Sequence, residues 1–358
     1  MNQKEKELFK SLCSFKQQKF DETLLSAATP TVLGQLFFNR MQAVAYGVLK
    51  EHGLLNKVNR EFRNSLKTGY EQQNEKNQSY FKCLKYLQEC LQDCTCNYAL
   101  LKGAYLCAVY PTAYRTSNDI DILVAPQDVT AISRTLYRAG FRQGDIRNGK
   151  FESATRKEII ESKMMRGETV PFIKEVNLPS MKFLEVDINF SLDYKPNDTK
   201  FLAEMLENSA VQEINGQYVK TLRKDDFFIH LCSHLYKEAT TLPWIEMKRD
   251  MTLYKYCDIY MLLNDASMEE INLIFKRAKE NDMEKICAFA VLQTAKLFNN
   301  ANDFAILKSK QVLKNDPQFV HRIVSPKDKK EFIYKEKNIL TRLFSNNRRG
   351  LIIEVGKE

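Results

Sequence analysis

The chain has 358 residues, 44% hydrophobic and 28% charged, with 54 Lys and Arg set against 45 Asp and Glu for a formal charge of +9. That length suits two or three compact units, each burying its own core, and the composition sits within the range of globular proteins and away from disordered ones. The charge is mixed rather than one-signed, so it suits phosphate-bearing ligands without demanding nucleic acid; the basic stretch 327–337 also carries Asp328, Glu331 and Glu336 and reads as a solvated helix face.

Residues 1–10 are polar and charged, with no apolar core for a signal peptide, and no window approaches ~18 uninterrupted apolar residues. A cytoplasmic protein that meets no membrane is expected. Nine cysteines without a secretory signal favour reduced thiols. Cys83, Cys90, Cys94 and Cys96 lie close together but lack the spacing of a zinc knuckle and read as buried helical residues.

Apolar residues three and four apart, as in Leu33, Leu36, Phe37, Met41, Val44 and Leu49, predict helices over residues 5–94. The polar stretch 68–79 fits either a loop or an exposed helix. From 97 to 194 strand-length apolar runs alternate with helical segments: a strand at 98–101, a helix from Gly103 closed by Pro111, a strand at 119–124, and a helix over 126–139 stopped by Gly140. Residues 145–180 are less regular, with a helical patch at 156–165 and a candidate strand at 171–176. A further strand is predicted at 182–190. Beyond Pro196 the chain turns helical again, broken by a hairpin at 211–221 about Asn215-Gly216. Amphipathic helices follow at 225–238, 250–263, 267–279 and 282–298. The expected organisation is α+β: an N-terminal helical region (1–96), a core with a small mixed sheet (97–195) and a C-terminal helical domain (196–358).

The chemistry concentrates in two strands. In Asp119-Ile120-Asp121-Ile122-Leu123-Val124 the alternation puts both aspartates on one face and Ile120, Ile122 and Val124 on the other. Two carboxylates on one rigid face repel unless a cation or proton lies between them, and a hard divalent cation is the natural solution. The segment 183–190 repeats the grammar: Leu184, Val186, Ile188 and Phe190 on one face, Glu185, Asp187 and Asn189 on the other. If the strands are neighbours, their carboxylates converge. Upstream, Lys102 and Gly103 stand between a strand and a helix, where a glycine permits close ligand approach, and Arg115 offers a guanidinium for phosphate.

Leu101-Lys102-Gly103 with its helix, Tyr110-Pro111, Arg115, Asp119-x-Asp121 and Glu185-Val186-Asp187 together resemble the DNA polymerase β-like nucleotidyltransferase superfamily, and within it a poorly characterised bacterial branch. The resemblance covers residues 100–192. It implies Mg²⁺ or Mn²⁺ on Asp119, Asp121 and Asp187, with Asp187 also activating the acceptor, and nucleotide contacts from Lys102, Gly103 and Arg115. Two positions depart from the pattern: Ala104 stands where the superfamily usually has a serine, and Asn189 where the branch often has histidine.

The expected activity is metal-dependent transfer of a nucleoside monophosphate from an NTP to an acceptor that could be a small molecule, peptide, protein or RNA. The rivals are a transferase moving another group from a nucleotide donor, and a non-catalytic subunit binding a nucleotide or peptide. His230 and His234 share a helix face without an obvious third zinc ligand, and with Asp258 they read chiefly as packing residues.

Overall fold

The computed structural model describes residues 1–193 and 198–356. The chain forms two compact units: one of Met1–Tyr70 with Phe228–Glu358, the other Glu71–Phe227. The sequence suggests divisions after residues 96 and 195, the second of which lies outside the described residues; the compact units divide after 70 and 227.

The 71–227 unit is built on an eight-stranded sheet. Its strands are β1 (Tyr98–Leu100), β2 (Asp119–Val124), β3 (Arg142–Arg147), β4 (Lys150–Ser153), β5 (Phe172–Leu178), β6 (Met181–Asn189), β7 (Ala210–Ile214) and β8 (Gln217–Thr221). Their spatial order is β4-β3-β5-β6-β2-β1-β8-β7. The pairs β2–β6 and β1–β8 are parallel and the remaining neighbours antiparallel, which gives the mixed sheet of an α+β protein.

Alternation sets the faces of the central strands. Ile120, Ile122 and Val124 of β2 and Leu184, Val186 and Ile188 of β6 enter one core with Tyr80, Leu84 and Leu87 of helix Arg60–Cys90 and Ile132 and Leu136 of helix Val129–Arg138. Each such fully buried branched side chain contributes about 1.5–3 kcal/mol. A one-residue slip would drive aspartates into this core, so the apolar face fixes the register of the acidic one.

The polar stretch 68–79 is helical, inside Arg60–Cys90. Its buried amides explain its composition: Gln73 Nε2 donates to the Ala113 carbonyl at 2.7 Å and Asn77 Nδ2 to that of Arg115 at 2.9 Å. They hold the segment leading into β2. Asn215-Gly216 closes the β7–β8 hairpin, with φ of 49° and 76°, as two positive-φ turn residues should. Asn148-Gly149, with φ of 49° and 71°, does the same for β3–β4, inside the stretch the sequence leaves irregular. Of the clustered cysteines, Cys83 is buried on the helix; Cys94 and Cys96 lie beyond its end, half-buried, with sulfurs 2.8 Å apart.

The other unit is mostly helical, including Leu253–Asn264, Met268–Glu280 and Glu284–Leu297. It also holds a small sheet of β9 (Arg322–Val324), β10 (Glu331–Tyr334) and β11 (Ile352–Glu354) in the order β11-β10-β9. The stretch 327–337, expected as a helix face, therefore contains a strand: Phe332 and Tyr334 alternate inward, a period of two that the surrounding charges obscure. Asp250 bonds Arg348 at 2.6 Å and Tyr334 at 3.0 Å, tying residues 334 and 348 to one buried carboxylate. His230 and Asp258 are buried, and His234 Nε2 stands 3.2 Å from Lys255 Nζ and 3.4 Å from Glu238. Among the described residues no helix is long and apolar enough to cross a membrane.

Candidate functional site

Strands β2 and β6 are adjacent, parallel and in register, pairing Asp119 with Glu185 and Asp121 with Asp187. Four carboxylates thus stand as two side-by-side pairs on the face opposite the core. Asp121 is 6% exposed, and the others are half-buried. Burial, then Asp121 and Asp119, push the Asp187 carboxyl well above the usual carboxylate range, with Glu168 adding to the push and Lys102 opposing it. Burial and Asp119 raise Glu185 as well. In both, burial is the larger cause, and added to it is the gathered negative charge.

The cation beside it is Lys102. Its Nζ donates to Asp121 Oδ1 at 2.8 Å, and the same oxygen accepts from Asn189 Nδ2 at 3.2 Å. Burial alone would lower the Lys102 pKa, but Asp121, Asp193 and Asp119 together outweigh it and hold the ammonium above its ordinary value. Lys102 sits in a strained backbone, φ 43° and ψ −110°, at the turn from β1 into helix Gly103–Val109. Such a conformation costs on the order of 1–3 kcal/mol in a residue bearing a Cβ. The turn is tied to β2 through Leu101 N–H, which donates to the Asp121 carbonyl at 2.9 Å.

Gly103 has a different immediate neighbour from the ligand the sequence suggests. A Cβ there would lie 2.5 Å from Ser117 Cβ and 2.6 Å from its Oγ, so the close approach glycine allows is that of Ser117. Ser117 Oγ in turn donates to Asp119 Oδ1 at 2.8 Å, and Tyr80 OH to the Asp119 carbonyl at 3.2 Å. Arg115 is buried, with Nη1 donating to the Thr116 carbonyl. Ala104 is fully buried, so its side chain belongs to the core rather than to the site.

The structure therefore brings Lys102, Asp119, Asp121 and Asp187 together, packs Gly103 against Ser117, and sets Arg115 in the segment before β2. Among the described residues no three His, Cys, Asp or Glu side chains converge tightly enough to cage a metal ion as they stand. Asp119 accepts from Ser117, while Asp121 is held by Lys102 and Asn189. Ser117, Asn189, Glu168 and Asp193 complete the surroundings. Ser117 lies two residues before Asp119, but a bend at residue 118 separates it from β2, so strand alternation does not announce it. Glu168 was not legible either, because it arrives through an isolated pairing of residue 168 with Asn189 at the end of β6.

The profile of a family described as uncharacterised nucleotidyltransferase matches residues 27–299. The chain belongs to that family. The match spans both carboxylate strands and the Lys102 turn of this nucleotidyltransferase. No curated protein matches it. Among solved structures it is similar to the antibiotic-resistance factor ANT(2'')-Ia, at 10% identity and a TM-score of 0.32 over 57% of this chain and 93% of that one. It is also similar to an antigenic nucleotidyltransferase-like protein from Paracoccidioides brasiliensis, at 15% identity and a TM-score of 0.34 over 59% and 93%. Both scores fall below the level from which a common overall arrangement follows.

Proposed function

We propose that this nucleotidyltransferase moves a nucleoside monophosphate from an NTP to an acceptor hydroxyl, with Asp119, Asp121 and Asp187 holding Mg²⁺ or Mn²⁺. The observation that carries the reading is the in-register parallel pairing of Asp121 with Asp187, opposite a face locked into the core. The donors suit the ion: hard carboxylate oxygens on two rigid strands, where burial and then Asp121 and Asp119 raise the Asp187 pKa. A divalent ion supplies neutralisation of the triphosphate and in-line alignment of attacking and leaving oxygens.

The protein's residues do the rest. Asp121, bonded to Lys102 as it stands, would be one of the residues holding the ion, and Lys102 on its strained turn would offer its positive charge to the phosphates. Asp187, at the β6 edge of the cluster, accepts the proton of the acceptor hydroxyl. Gly103 lends its backbone to the nucleotide only where Ser117 leaves room. Arg115 first supports the segment entering β2 and reaches phosphate by leaving the Thr116 carbonyl. Nine free cysteines suit a reducing compartment, so we place the enzyme in the cytoplasm. Calorimetric titration with each NTP tests the reading: binding should tighten markedly with Mg²⁺, and equal affinity in EDTA would overturn it.

A further inference from the structure

A second cluster of charge lies in the other unit, among residues of helix Glu284–Leu297 and the segments 317–321 and 337–343, and shares no residue with the carboxylate site. Its centre is Arg342, only 3% exposed. Buried charges ordinarily sit against an opposite charge, because desolvating an unpaired ion costs several kcal/mol. Arg342 has none: among the described residues its contacts are the Gln293 amide oxygen at 3.3 Å and the face of Tyr334, whose centroid is 4.3 Å away, and its Nε has no hydrogen-bond partner. The nearby carboxylate, Asp250, is already committed to Arg348 and to the Tyr334 hydroxyl.

The surroundings add positive charge rather than cancel it. Lys296 and Lys337, both exposed, make no ion pair among the described residues. The covered part of the otherwise exposed Lys296 side chain, and then Arg342, lower its pKa. His321, 8% exposed, is pushed down to about 4 by burial and then by Arg342, Lys296 and Lys337. A second buried polar atom, His321 Nδ1, is orphaned here as well. Arg342 and His321 are joined through Gln293, which accepts from Arg342 and donates to the Val320 carbonyl at 2.9 Å, next to His321.

We propose that Arg342, His321 and Lys296 form an anion site for a phosphate group, free or at the end of an ester. A guanidinium edge near an imidazole suits an acceptor with several oxygens better than a spherical halide. The exposed ammonium groups of Lys296 and Lys337 would draw it in.

The test is calorimetry and thermal melting of the full chain with inorganic phosphate and with phenyl phosphate, at constant ionic strength set with chloride. Saturable binding of either compound is expected, inorganic phosphate alone indicating a free anion and phenyl phosphate an ester. Lys296→Met should weaken it by about threefold, as a screened exposed charge, and Arg342→Gln by about tenfold or more, as a buried bidentate donor. Should Arg342→Gln fail to fold, Lys296→Met and Lys337→Met carry the comparison. Lys102→Met reports any phosphate held at the carboxylate site and should leave this binding intact. Absence of saturable binding, equal binding by all variants, or loss only in Lys102→Met would overturn the proposal.

Discussion

Lys102→Met removes the ammonium while keeping the length of the side chain and the Cβ that makes the backbone strained. Its partner atoms stand 2.8 Å apart, with side chains 23% and 8% exposed. Deleting one partner of a buried pair typically costs about 3–5 kcal/mol, because the other charge is left behind. Lys102 keeps some contact with water and Asp121 can take up a proton, so we expect about 2 kcal/mol lost in EDTA near neutral pH. Lys102→Gly removes the same charge and also relieves the backbone, returning on the order of 1–3 kcal/mol. Glycine should therefore be the more stable of the two variants. Saturating Mg²⁺ should stabilise Lys102→Met more than the wild type, since the ion no longer competes with the tethered ammonium. Urea unfolding in EDTA and in Mg²⁺ measures all three quantities. A Met variant as stable as the wild type in EDTA, gaining no more from Mg²⁺, would refute the reasoning.

Asp187 should make the metal-free protein less stable as pH rises. Its folded pKa lies above the unfolded value of 3.8, so the folded state binds the extra proton, and stability falls from about that pH up through the raised folded value. Asp187→Asn should flatten this slope; melting across pH 4–8 in EDTA that shows the same slope in both proteins would count against the raised pKa. Gly103→Val should cost about 1–3 kcal/mol or more through the clash with Ser117. A Ser117→Gly change added to it should return much of that loss, and a double variant no more stable than Gly103→Val would show that Ser117 is not the obstacle.

The carboxylate face was legible because a period of two is unambiguous where isoleucine alternates with aspartate. Each strand displayed its own faces in one dimension, and only their adjacency had to be supplied by the fold. The Asn215-Gly216 hairpin was legible for a similarly local reason. What was hidden depends on distant partners. The polar stretch 68–79 forms helix because its amides meet carbonyls about 40 residues away. The salt bridge of Lys102 to Asp121 follows from a turn with φ 43°, which no residue type announces when that residue is lysine. Glycine at 103 suggests ligand approach, yet the atom that fills the space is Ser117, brought there by the return of the chain into β2.

Transfer of label from the two ends of the NTP tests the central claim most directly. The enzyme, Mg²⁺ and each NTP, labelled at either the α- or the γ-phosphate, are incubated with pools of small hydroxyl compounds, RNA and protein. The account predicts α-label on an acceptor, γ-label released in pyrophosphate, and neither event in Asp121→Asn or Asp187→Asn variants that melt as folded proteins. γ-label on the acceptor, or undiminished α-label transfer by Asp121→Asn, would contradict it.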